Sequence, residues 1–373
     1  MKKLRITTIV GTRPEIIRMS EIIKKFDVFF DHRLIHTGQN PDPLLKDIFF
    51  KDLELREPDV YFGGDHTSLG SFLSNLFLGM EKELKTNKPD GVVILGDTNS
   101  ALASILAKRF GIPVYHLEAG NRSFDQNVPE EINRKIVDHT SDFNLAYTEL
   151  ARNNLLAEGI HPRKIAVIGS PLNEVLTFHK ARIENSKILS TLNLTKQGYI
   201  LVSAHRQENI DFKSRFNNFI ETLNLVSSAY RVPVLVSTHP RTKKQLDQKS
   251  ITKQSEIKFH DPFNFTDYNN LQKNALIVLS DSGTISEESA MLGFKAVTIR
   301  DSMERPEALE AGSIVMSGTK PENVIQAMEI VLNTDPVKNL PSEYLINDTS
   351  SRVLNYIVST VNQHNFWNAL YKD

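Results

Sequence analysis

The sequence predicts an α/β protein with two doubly wound domains, each built on a parallel β-sheet that helices cover on both faces. Three observations support this fold class. Short apolar runs of strand length recur along the chain, amphipathic helical patterns separate them, and clusters of polar residues follow them. Such an alternation is typical of βαβ units in a fully buried sheet. The length of 373 residues is sufficient for two cores of this kind.

The elements of the first domain follow one another in a regular order. RITTIV is the first predicted strand, and the amphipathic stretch after the turn GTRPE is the first predicted helix. Further strands are predicted at the apolar runs HRLIHT, GVVILGD, PVYHLEAG, FNLAYT and IAVIGS. We expect this N-terminal domain to span residues 1–172.

The second domain repeats the pattern after a polar, helical segment. Its predicted strands are the apolar runs YILVSAHR, PVLVSTHP, ALIVLSDSG and KAVTIRDS. We expect this domain to span residues 173–355. The last segment, residues 356–373, is predicted to be a helix that packs back toward the N-terminal domain.

Composition and charge exclude several classes of protein. The formal net charge of -1 gives no basic excess for nucleic-acid binding. No segment reaches the roughly 18 consecutive apolar residues of a membrane helix. The chain has no cysteine, which excludes disulfides and thiolate nucleophiles and indicates a reducing compartment. We therefore expect a cytoplasmic protein that is bound neither to nucleic acid nor to a membrane.

The polar clusters come where predicted strands end, so we expect a ligand site in the crevice outside the carboxyl ends of the strands, between the domains. The sequence contains neither G-x-G-x-x-G nor G-x-x-x-x-G-K-[ST], which argues against a nicotinamide cofactor and a P-loop. Spacing of the H-E-x-x-H type is also missing. We therefore predict no cofactor and no catalytic metal.

The turn after the first strand carries an arginine in place of the usual glycines. The guanidinium of Arg13 offers a planar fork of donors that suits a diphosphate. Pro14 fits the first position of the helix that follows, and Glu15 lies favourably in the first turn of that helix. We interpret these two neighbours of Arg13 as structural residues.

A second anion site is predicted in the turn SDSGTISEE. Ser282, Gly283 and Thr284 are small residues ahead of a helix, where exposed N–H groups and the helix dipole favour a phosphate. The same residues also suit an ordinary N-capping turn. Glu287 or Glu288 is placed to accept hydrogen bonds from ribose hydroxyls.

Carboxylates that follow strands are the most informative polar residues. One such acid is usually a helix cap, but several that converge with histidine and arginine are typical of acid–base chemistry beside an anion site. Crowded carboxylates also raise the pKa of one another, which suits a general base. The residues concerned are Asp97, Glu118, Glu130, Glu131, His205, Arg206 and His239.

The motifs, taken in order, resemble those of the non-hydrolysing UDP-N-acetylglucosamine 2-epimerase family over roughly residues 4–330. They are GTRPEIIR, LGDTNS, HLEAGNR, PEEINRKIVDH, IGSPLNEV, SAHRQEN, SDSGTISEE and RDSMERPEAL. AGNRSFDQNVPEEINR, STHPRT and LSDSGTISEES are similar to the branch of UDP-N-acetyl-L-fucosamine synthases. Members of that branch invert carbon 2 of a UDP-linked N-acetyl-6-deoxy-L-talosamine during capsule or O-antigen synthesis.

This resemblance implies a fold like that of glycosyltransferase-B enzymes, with two Rossmann-like domains, of which the C-terminal one, residues 173–355, binds UDP. It also implies a homodimer. It implies that UDP is eliminated to leave a 2-acetamidoglycal and adds back after reprotonation on the other face. It assigns catalytic roles to Asp97, Glu118, Glu130 and His205. The substrate-binding residues that we expect are Arg13, Arg18, Glu131, Arg134, Arg206, His239, Ser282, Gly283, Thr284, Glu288 and Arg305.

The chain departs from the family pattern at several positions. Arg18 stands where the family commonly has lysine, which favours anion binding over proton transfer. Asn121 and Thr284 replace the leucine and glycine that are usual in the glucosamine branch, and these polar groups favour a different hexosamine. The segment TGQNPDPLL keeps Gln39 but not the histidine of the family's activator segment, so we do not expect activation by a second substrate molecule.

Within the family, a UDP-N-acetylglucosamine/UDP-N-acetylmannosamine 2-epimerase is the alternative to the fucosamine branch. Three functions outside this reaction are also compatible with the same predicted site. A glycosyltransferase would need an acceptor besides the sugar nucleotide, and a hydrolysing epimerase would release free N-acetylmannosamine and UDP. The density of carboxylates argues against a sugar-nucleotide sensor without catalytic activity.

The chemistry favours elimination, because carbon 2 of an N-acetylhexosamine is not next to a carbonyl and its proton is scarcely acidic. A fixed cation such as Arg13 then stabilises the departing and returning diphosphate.

Overall fold

The computed structural model describes residues 3–40, 43–63, 67–204, 213–238, 256–335, 337, 340–368 and 370, with the backbone alone for 43–47, 204 and 213. The chain divides into two compact units. Unit 1 comprises Met1–Phe178 and Leu345–Asp373, and unit 2 comprises His179–Tyr344. The predicted boundaries lie at 172/173 and 355/356, whereas the limits of these units lie at 178/179 and 344/345.

Among the described residues of unit 1, seven parallel strands form one sheet in the order β3-β2-β1-β4-β5-β6-β7. Six of them coincide with the predicted apolar runs, whereas β3 is too short to produce a pattern. The strands are Arg5–Val10 (β1), Asp31–His36 (β2), Val60–Tyr61 (β3), Gly91–Leu95 (β4), Val114–Leu117 (β5), Phe143–Ala146 (β6) and Ile165–Val167 (β7).

The described part of unit 2 contains a parallel sheet of six strands in the order β10-β9-β8-β11-β12-β13. Two of these strands escaped prediction, because β10 is a partly exposed edge strand without an apolar run and β13 has two residues. The strands are Ile200–Ala204 (β8), Val234–Thr238 (β9), Ile257–His260 (β10), Ile277–Ser280 (β11), Ala296–Thr298 (β12) and Val315–Met316 (β13). The two parallel sheets confirm the predicted fold class.

Helices connect the strands, and several begin with proline, whose fixed φ suits the first helical turn. The α-helices are Arg13–Phe29 (α1), Pro43–Asp52 (α2), Leu69–Asn87 (α3), Ser104–Arg109 (α4), Pro129–Thr140 (α5), Glu149–Ala157 (α6), Pro171–Phe178 (α7), Lys180–Glu184 (α8), Ile188–Thr191 (α9), Lys213–Tyr230 (α10), Phe265–Asn274 (α11), Ile285–Leu292 (α12), Glu307–Glu310 (α13), Pro321–Asn333 (α14), Thr349–Thr360 (α15) and His364–Trp367 (α16). Short 3-10 helices lie at Asn99–Ala103, Pro162–Lys164, Ser342–Leu345 and Val361–Gln363. Within the described ranges, no helix is both long enough and apolar enough to span a membrane.

The hydrophobic cores lie on both faces of each sheet. In unit 2, Leu201 and Val278 belong to one buried cluster, whereas their strand neighbours Val202 and Leu279 belong to the cluster on the other face. This alternation follows from the two-residue period of a β-strand. It explains why both strands are continuously apolar in sequence.

Helix α15 belongs to unit 1, which is why the second boundary lies before residue 349 rather than at 355/356. Its first turn is fixed by Glu174, whose carboxylate accepts from the backbone N–H of Ser350 at 2.7 Å. At its other end the hydroxyl of Thr360 lies 2.9 Å from that of Tyr115. The apolar periodicity of the segment predicts a helix, but it cannot show which core the helix covers.

Candidate functional site

The turn after β1 is held in place by the buried carboxylate of Glu15. Its Oε2 accepts from the backbone N–H groups of Gly11 and Thr12, each at 2.7 Å. Its Oε1 accepts from the hydroxyl of Thr98 at 2.6 Å. Thr98 follows Asp97 in the turn after β4, so one side chain ties two neighbouring turns of the sheet edge together. The predicted role of Glu15 in starting the helix is confirmed, and the link to the second turn adds to it.

Burial makes this carboxyl group a weaker acid than an exposed glutamate. Glu15 is 2% exposed, and desolvation raises its pKa from 4.5 to about 7, although the bonds from Thr98, Gly11 and Thr12 act to lower it. Arg13, two residues earlier, is half-buried, with its guanidinium carbon 5.7 Å from the centre of the Phe49 ring. Arg13 therefore projects from a turn whose backbone is fixed by the carboxylate of Glu15.

Glycine is required at the start of the same turn because neighbouring side chains approach the backbone closely. A Cβ atom on Gly11 would lie 2.1 Å from Oγ of Ser100 and 2.2 Å from Oγ1 of Thr37. These two hydroxyls are 2.7 Å apart and lie in the loops after β4 and β2. The turns after β1, β2 and β4 thus pack against one another at the carboxyl edge of the sheet.

Asp97, Arg134 and Glu131 form a continuous chain of charges. One guanidinium nitrogen of Arg134 lies 2.5 Å from Oδ2 of Asp97, and another lies 2.8 Å from Oε2 of Glu131. Burial acts to raise the pKa of Glu131, but bonds from Ser123 and Arg134 outweigh it and lower that pKa. The Asp97 side chain remains 20% exposed while the other two are buried. Asp97 is therefore the member of the chain that a ligand can reach.

Glu118 occupies the residue after β5 with a strained backbone. Its φ of 67° lies in the left-handed region, which residues with a side chain rarely adopt and which costs about 1–3 kcal/mol. The carboxylate is nearly buried, and Nη1 of Arg18 lies 3.7 Å from Oε2. The guanidinium of Arg18 also stacks near the ring of Tyr147, at 5.5 Å from its centre. Strain at a buried charged residue is typical of a functional position.

Glu130 and Glu131 are neighbours in the first turn of α5 but lie in different environments. Glu131 is fully buried, whereas Glu130 is exposed. The paired acids of the motif PEEINR thus separate into one that supports Arg134 and one that faces solvent. The catalytic role of Glu130 stays a prediction.

His116, Asp138 and Arg122 form a buried charge network behind the loop after β5, which the sequence motifs do not predict. Oδ1 of Asp138 lies 2.9 Å from Nδ1 of His116, and Oδ2 lies 2.7 Å from Nη1 of Arg122. The other ring nitrogen of His116 is 2.9 Å from the carbonyl oxygen of Gly96. A signal was available, because a histidine inside a strand that is predicted to be buried requires polar partners.

In unit 2 the turn of small residues before α12 is held by hydroxyl groups. The hydroxyls of Ser282 and Thr284 are 2.9 Å apart, and that of Thr284 donates to Oε1 of Glu288 at 2.7 Å. The other oxygen of Glu288 accepts from Nε2 of Gln272 at 2.6 Å. Gln272 was not predicted, because an isolated glutamine in a helix gives no signal in sequence.

Arg305 supports this turn from the protein interior. Its guanidinium donates to the carbonyl oxygen of Gly283 at 2.9 Å and lies 3.1 Å from a carboxylate oxygen of Glu287. A Cβ atom on Gly283 would lie 2.5 Å from Oε1 of Glu304, so this position accommodates glycine alone without rearrangement. Because Glu287 is fully buried and Glu288 is half-buried, Glu288 is the better placed of the two for a ribose.

Three predicted site residues, His205, Arg206 and His239, lie outside the described residues, and their roles stay predictions. In the part of the chain that is described, no group of three or more histidine, aspartate or glutamate side chains is arranged to hold a metal ion. The described residues of unit 1 therefore offer carboxylates paired with arginines. The turn before α12 in unit 2, taken by itself, offers a carboxylate and backbone donors. Such groups transfer protons and bind anions.

Comparison with known proteins finds a family and close relatives. The family described as UDP-N-acetylglucosamine 2-epimerase matches residues 24–358. The UDP-N-acetylglucosamine 2-epimerase of Methanocaldococcus jannaschii is 38% identical over 339 residues, which cover 88% of this chain and 93% of that protein.

Solved structures agree with this match. The UDP-N-acetylglucosamine 2-epimerase from Rickettsia bellii has a TM-score of 0.90 at 40% identity and covers 97% of this chain and 98% of its own. The M. jannaschii enzyme in complex with UDP-GlcNAc and UDP has a TM-score of 0.88 at 35% identity, with 95% and 100% covered. The Rossmann-like, glycosyltransferase-B-like fold that the resemblance implied is confirmed.

Proposed function

Since the chain belongs to the non-hydrolysing UDP-N-acetylglucosamine 2-epimerase family, we propose that it inverts carbon 2 of a UDP-linked N-acetylhexosamine by elimination and re-addition of UDP. One observation in the structure carries this proposal. Asp97 and Glu118, at the ends of adjacent strands, each have a buried arginine as partner, Arg134 at 2.5 Å and Arg18 at 3.7 Å. Fixed carboxylates at the edge of a parallel sheet suit proton transfer to and from one sugar ring.

The proposed reaction breaks two bonds in its first half. A base removes the proton from carbon 2 while the bond from carbon 1 to the phosphate oxygen breaks and its electron pair leaves with UDP. A double bond forms between the two carbons, which gives a 2-acetamidoglycal. In the second half an acid returns a proton to the opposite face of carbon 2, and UDP adds back to carbon 1. No electrons are gained or lost, so no redox cofactor is needed.

We assign the proton transfers to Asp97, Glu118, Glu130 and His205. General acid–base groups of this kind typically contribute about 10²–10⁴-fold each. Arg13, on its rigid turn, is assigned to the diphosphate, where a fixed cation stabilises both the departing and the returning UDP. The two halves of the reaction pass through the same charge distribution, so one cation serves both.

In unit 2 we assign nucleotide binding to the turn before α12. The backbone N–H of Gly283 suits a phosphate, whereas that of Ser282 donates to Oγ of Ser280 at 3.0 Å. The carboxylate of Glu288 suits ribose hydroxyls. The bonds from Thr284 and Gln272 hold that carboxylate in one orientation. Arg305 supports the turn through the Gly283 carbonyl. We assign these groups to nucleotide binding alone, and none of them to a proton transfer.

For the substrate, we propose UDP-2-acetamido-2,6-dideoxy-L-talose, which yields UDP-N-acetyl-L-fucosamine for capsule or O-antigen synthesis. The motif AGNRSFDQNVPEEINR and the polar residues Asn121 and Thr284 support this branch. A second candidate is the interconversion of UDP-N-acetylglucosamine and UDP-N-acetylmannosamine. This candidate is supported by the M. jannaschii relative, which is named a UDP-N-acetylglucosamine 2-epimerase. We also propose that the chain acts as a homodimer, which sedimentation velocity would test.

The experiment uses purified protein in deuterated water with each UDP-N-acetylhexosamine separately and no acceptor. We expect deuterium at carbon 2 with UDP still attached, and the substrate with the higher kcat/KM identifies the branch. Free N-acetylmannosamine would indicate a hydrolysing epimerase. Turnover that requires an added sugar acceptor would indicate a glycosyltransferase, and sugar nucleotides that bind without exchange would indicate a sensor.

A further inference from the structure

The loop after β5 is fixed at its backbone. Gly120 has a φ of 83°, and a Cβ atom there would lie 2.2 Å from the carbonyl oxygen of Ala151. Its own carbonyl accepts from the side chain of Asn154 at 3.0 Å, and its N–H lies 3.2 Å from a carboxylate oxygen of Asp138. The residue that follows, Asn121, therefore has little freedom to move its main chain.

The main chain of Asn121 is held from the other side as well. Its carbonyl oxygen accepts from Nη1 of Arg122 at 2.7 Å. The guanidinium of Arg122 is fully buried and bonds to the carboxylates of Asp138 and Glu158 at distances between 2.6 and 2.7 Å. The loop is thus anchored on both sides of Asn121 by buried charges.

The side chain of Asn121 contrasts with this well-bonded backbone. The residue is 4% exposed, and no residue in the described part of the chain accepts a hydrogen bond from its Nδ2. Burial of a primary amide without an acceptor costs free energy, and nearly all such groups in folded proteins are bonded. A leucine of similar shape would fill the same space without this cost. The amide is therefore unfavourable for folding alone.

We propose that Asn121 is a specificity-determining residue whose amide donates a hydrogen bond to an acceptor oxygen on the sugar of the UDP-N-acetylhexosamine. The inference rests on the proposed function. It assigns the contact to the sugar rather than to the nucleotide because Asn121 follows Glu118 by three residues on the same rigid loop. Glu118 is a carboxylate proposed to act at carbon 2, whereas the contacts to the nucleotide are assigned to Arg13 and to the turn before α12 in unit 2.

The test compares Asn121→Leu with the unmodified protein in folding, binding and turnover. We expect Asn121→Leu to raise Tm, because an unpartnered amide is replaced by an apolar group of similar size. Its affinity for the UDP-N-acetylhexosamine should fall about tenfold in a calorimetric titration, with kcat/KM reduced at least as much. The affinity for UDP alone should not change. A higher Tm, combined with a lower affinity for the UDP-sugar but not for UDP, indicates that the amide contacts the sugar.

Ser141→Ala is the matched control, because the hydroxyl of Ser141 is also buried without a hydrogen-bond partner among the described residues and lies just before β6, at the opposite edge of the sheet. This variant should retain the affinity and kcat/KM of the unmodified protein. The proposal is overturned if Asn121→Leu binds the UDP-sugar normally. It is also overturned if Asn121→Leu lowers Tm and weakens UDP and the UDP-sugar equally, since that indicates a structural role. Lack of deuterium exchange by the unmodified protein would overturn the proposed function alone, because the titrations still decide the role of Asn121.

Discussion

The carboxyl edge of the unit 1 sheet and the turn before α12 in unit 2 hold their polar groups in different ways. In unit 1 the carboxylates of Asp97 and Glu118 lie beside buried arginines, and the backbone of Glu118 is strained at a φ of 67°. In unit 2 the carboxylate of Glu288 is held by the neutral side chains of Thr284 and Gln272, while the buried pair of Arg305 and Glu287 supports the turn from the interior. Charged pairs and strain suit a region that carries out chemistry, and neutral donors suit a region that only binds.

We expect the largest loss of activity when the carboxylates of unit 1 are neutralised. Glu118→Gln keeps the shape of the side chain but removes its charge and basicity, and Asp97→Asn does the same at the other carboxylate. We expect kcat to fall about 10²–10⁴-fold in each variant, with the affinity for UDP retained. Deuterium exchange at carbon 2 measures the first effect and calorimetry the second. Glu130→Gln is expected to behave similarly, and normal rates in all three variants would remove the assignment.

The next effect concerns the buried carboxylate of Glu15 and its dependence on pH. Its pKa of about 7 in the folded protein exceeds 4.5, so the folded state retains the proton between these values while the unfolded state loses it. The stabilisation by the protonated carboxyl group is fully present below pH 4.5 and is lost as pH rises to about 7. The loss is on the order of 3 kcal/mol at 1.36 kcal/mol per pH unit. Glu15→Gln should lack this loss, because an amide can donate to Thr98 and accept from Gly11 and Thr12.

The measurement is the difference in Tm between the unmodified protein and Glu15→Gln over this pH range. We expect the unmodified protein to become progressively less stable relative to the variant as pH rises. Because all other ionisable groups are common to both proteins, the difference isolates Glu15. Parallel pH profiles would show that the carboxylate is not desolvated as the structure places it.

A smaller effect is expected at Arg13, which tests whether unit 1 also stabilises the leaving diphosphate. Arg13→Ala removes charge-assisted hydrogen bonds, so we expect the affinity for UDP to fall about tenfold to a hundredfold and kcat to fall as well. Calorimetric titration with UDP measures the first effect. Arg13→Lys keeps the charge without the planar fork and should restore part of the affinity. An unchanged affinity for UDP in Arg13→Ala would contradict the phosphate role.

The smallest change in activity is expected at Glu288 in unit 2. Glu288→Gln retains a hydrogen-bonding side chain but replaces an ionised acceptor by a neutral one. We expect KM to rise about threefold to tenfold with kcat nearly unchanged, which is the pattern of a group that binds ground state and transition state equally. Steady-state kinetics separate the two parameters. A loss in kcat as large as that of Glu118→Gln would show that the two regions do not divide binding from chemistry.

Much of the fold and part of the site follow from local patterns. The predicted strands of both units coincide with apolar runs, because a strand buried on both faces must be apolar throughout its length. The edge strands β3, β10 and β13 lack such runs and were missed. At the site, the carboxylates and arginines that follow strands were found, but their pairing was not, since a sequence does not show which loops meet.

Local sequence patterns are enough to predict the order of elements, the parallel sheets and the kinds of polar group at the strand ends. Only the folded chain shows that Glu15 bonds to Thr98, that Glu131 and not Glu130 supports Arg134, and that Asp138 joins His116 to Arg122. These two kinds of feature depend on interactions of different range along the chain. Strand and helix formation depend on residues a few positions apart, whereas burial and the pairing of charges depend on segments that folding brings together from distant parts of the chain.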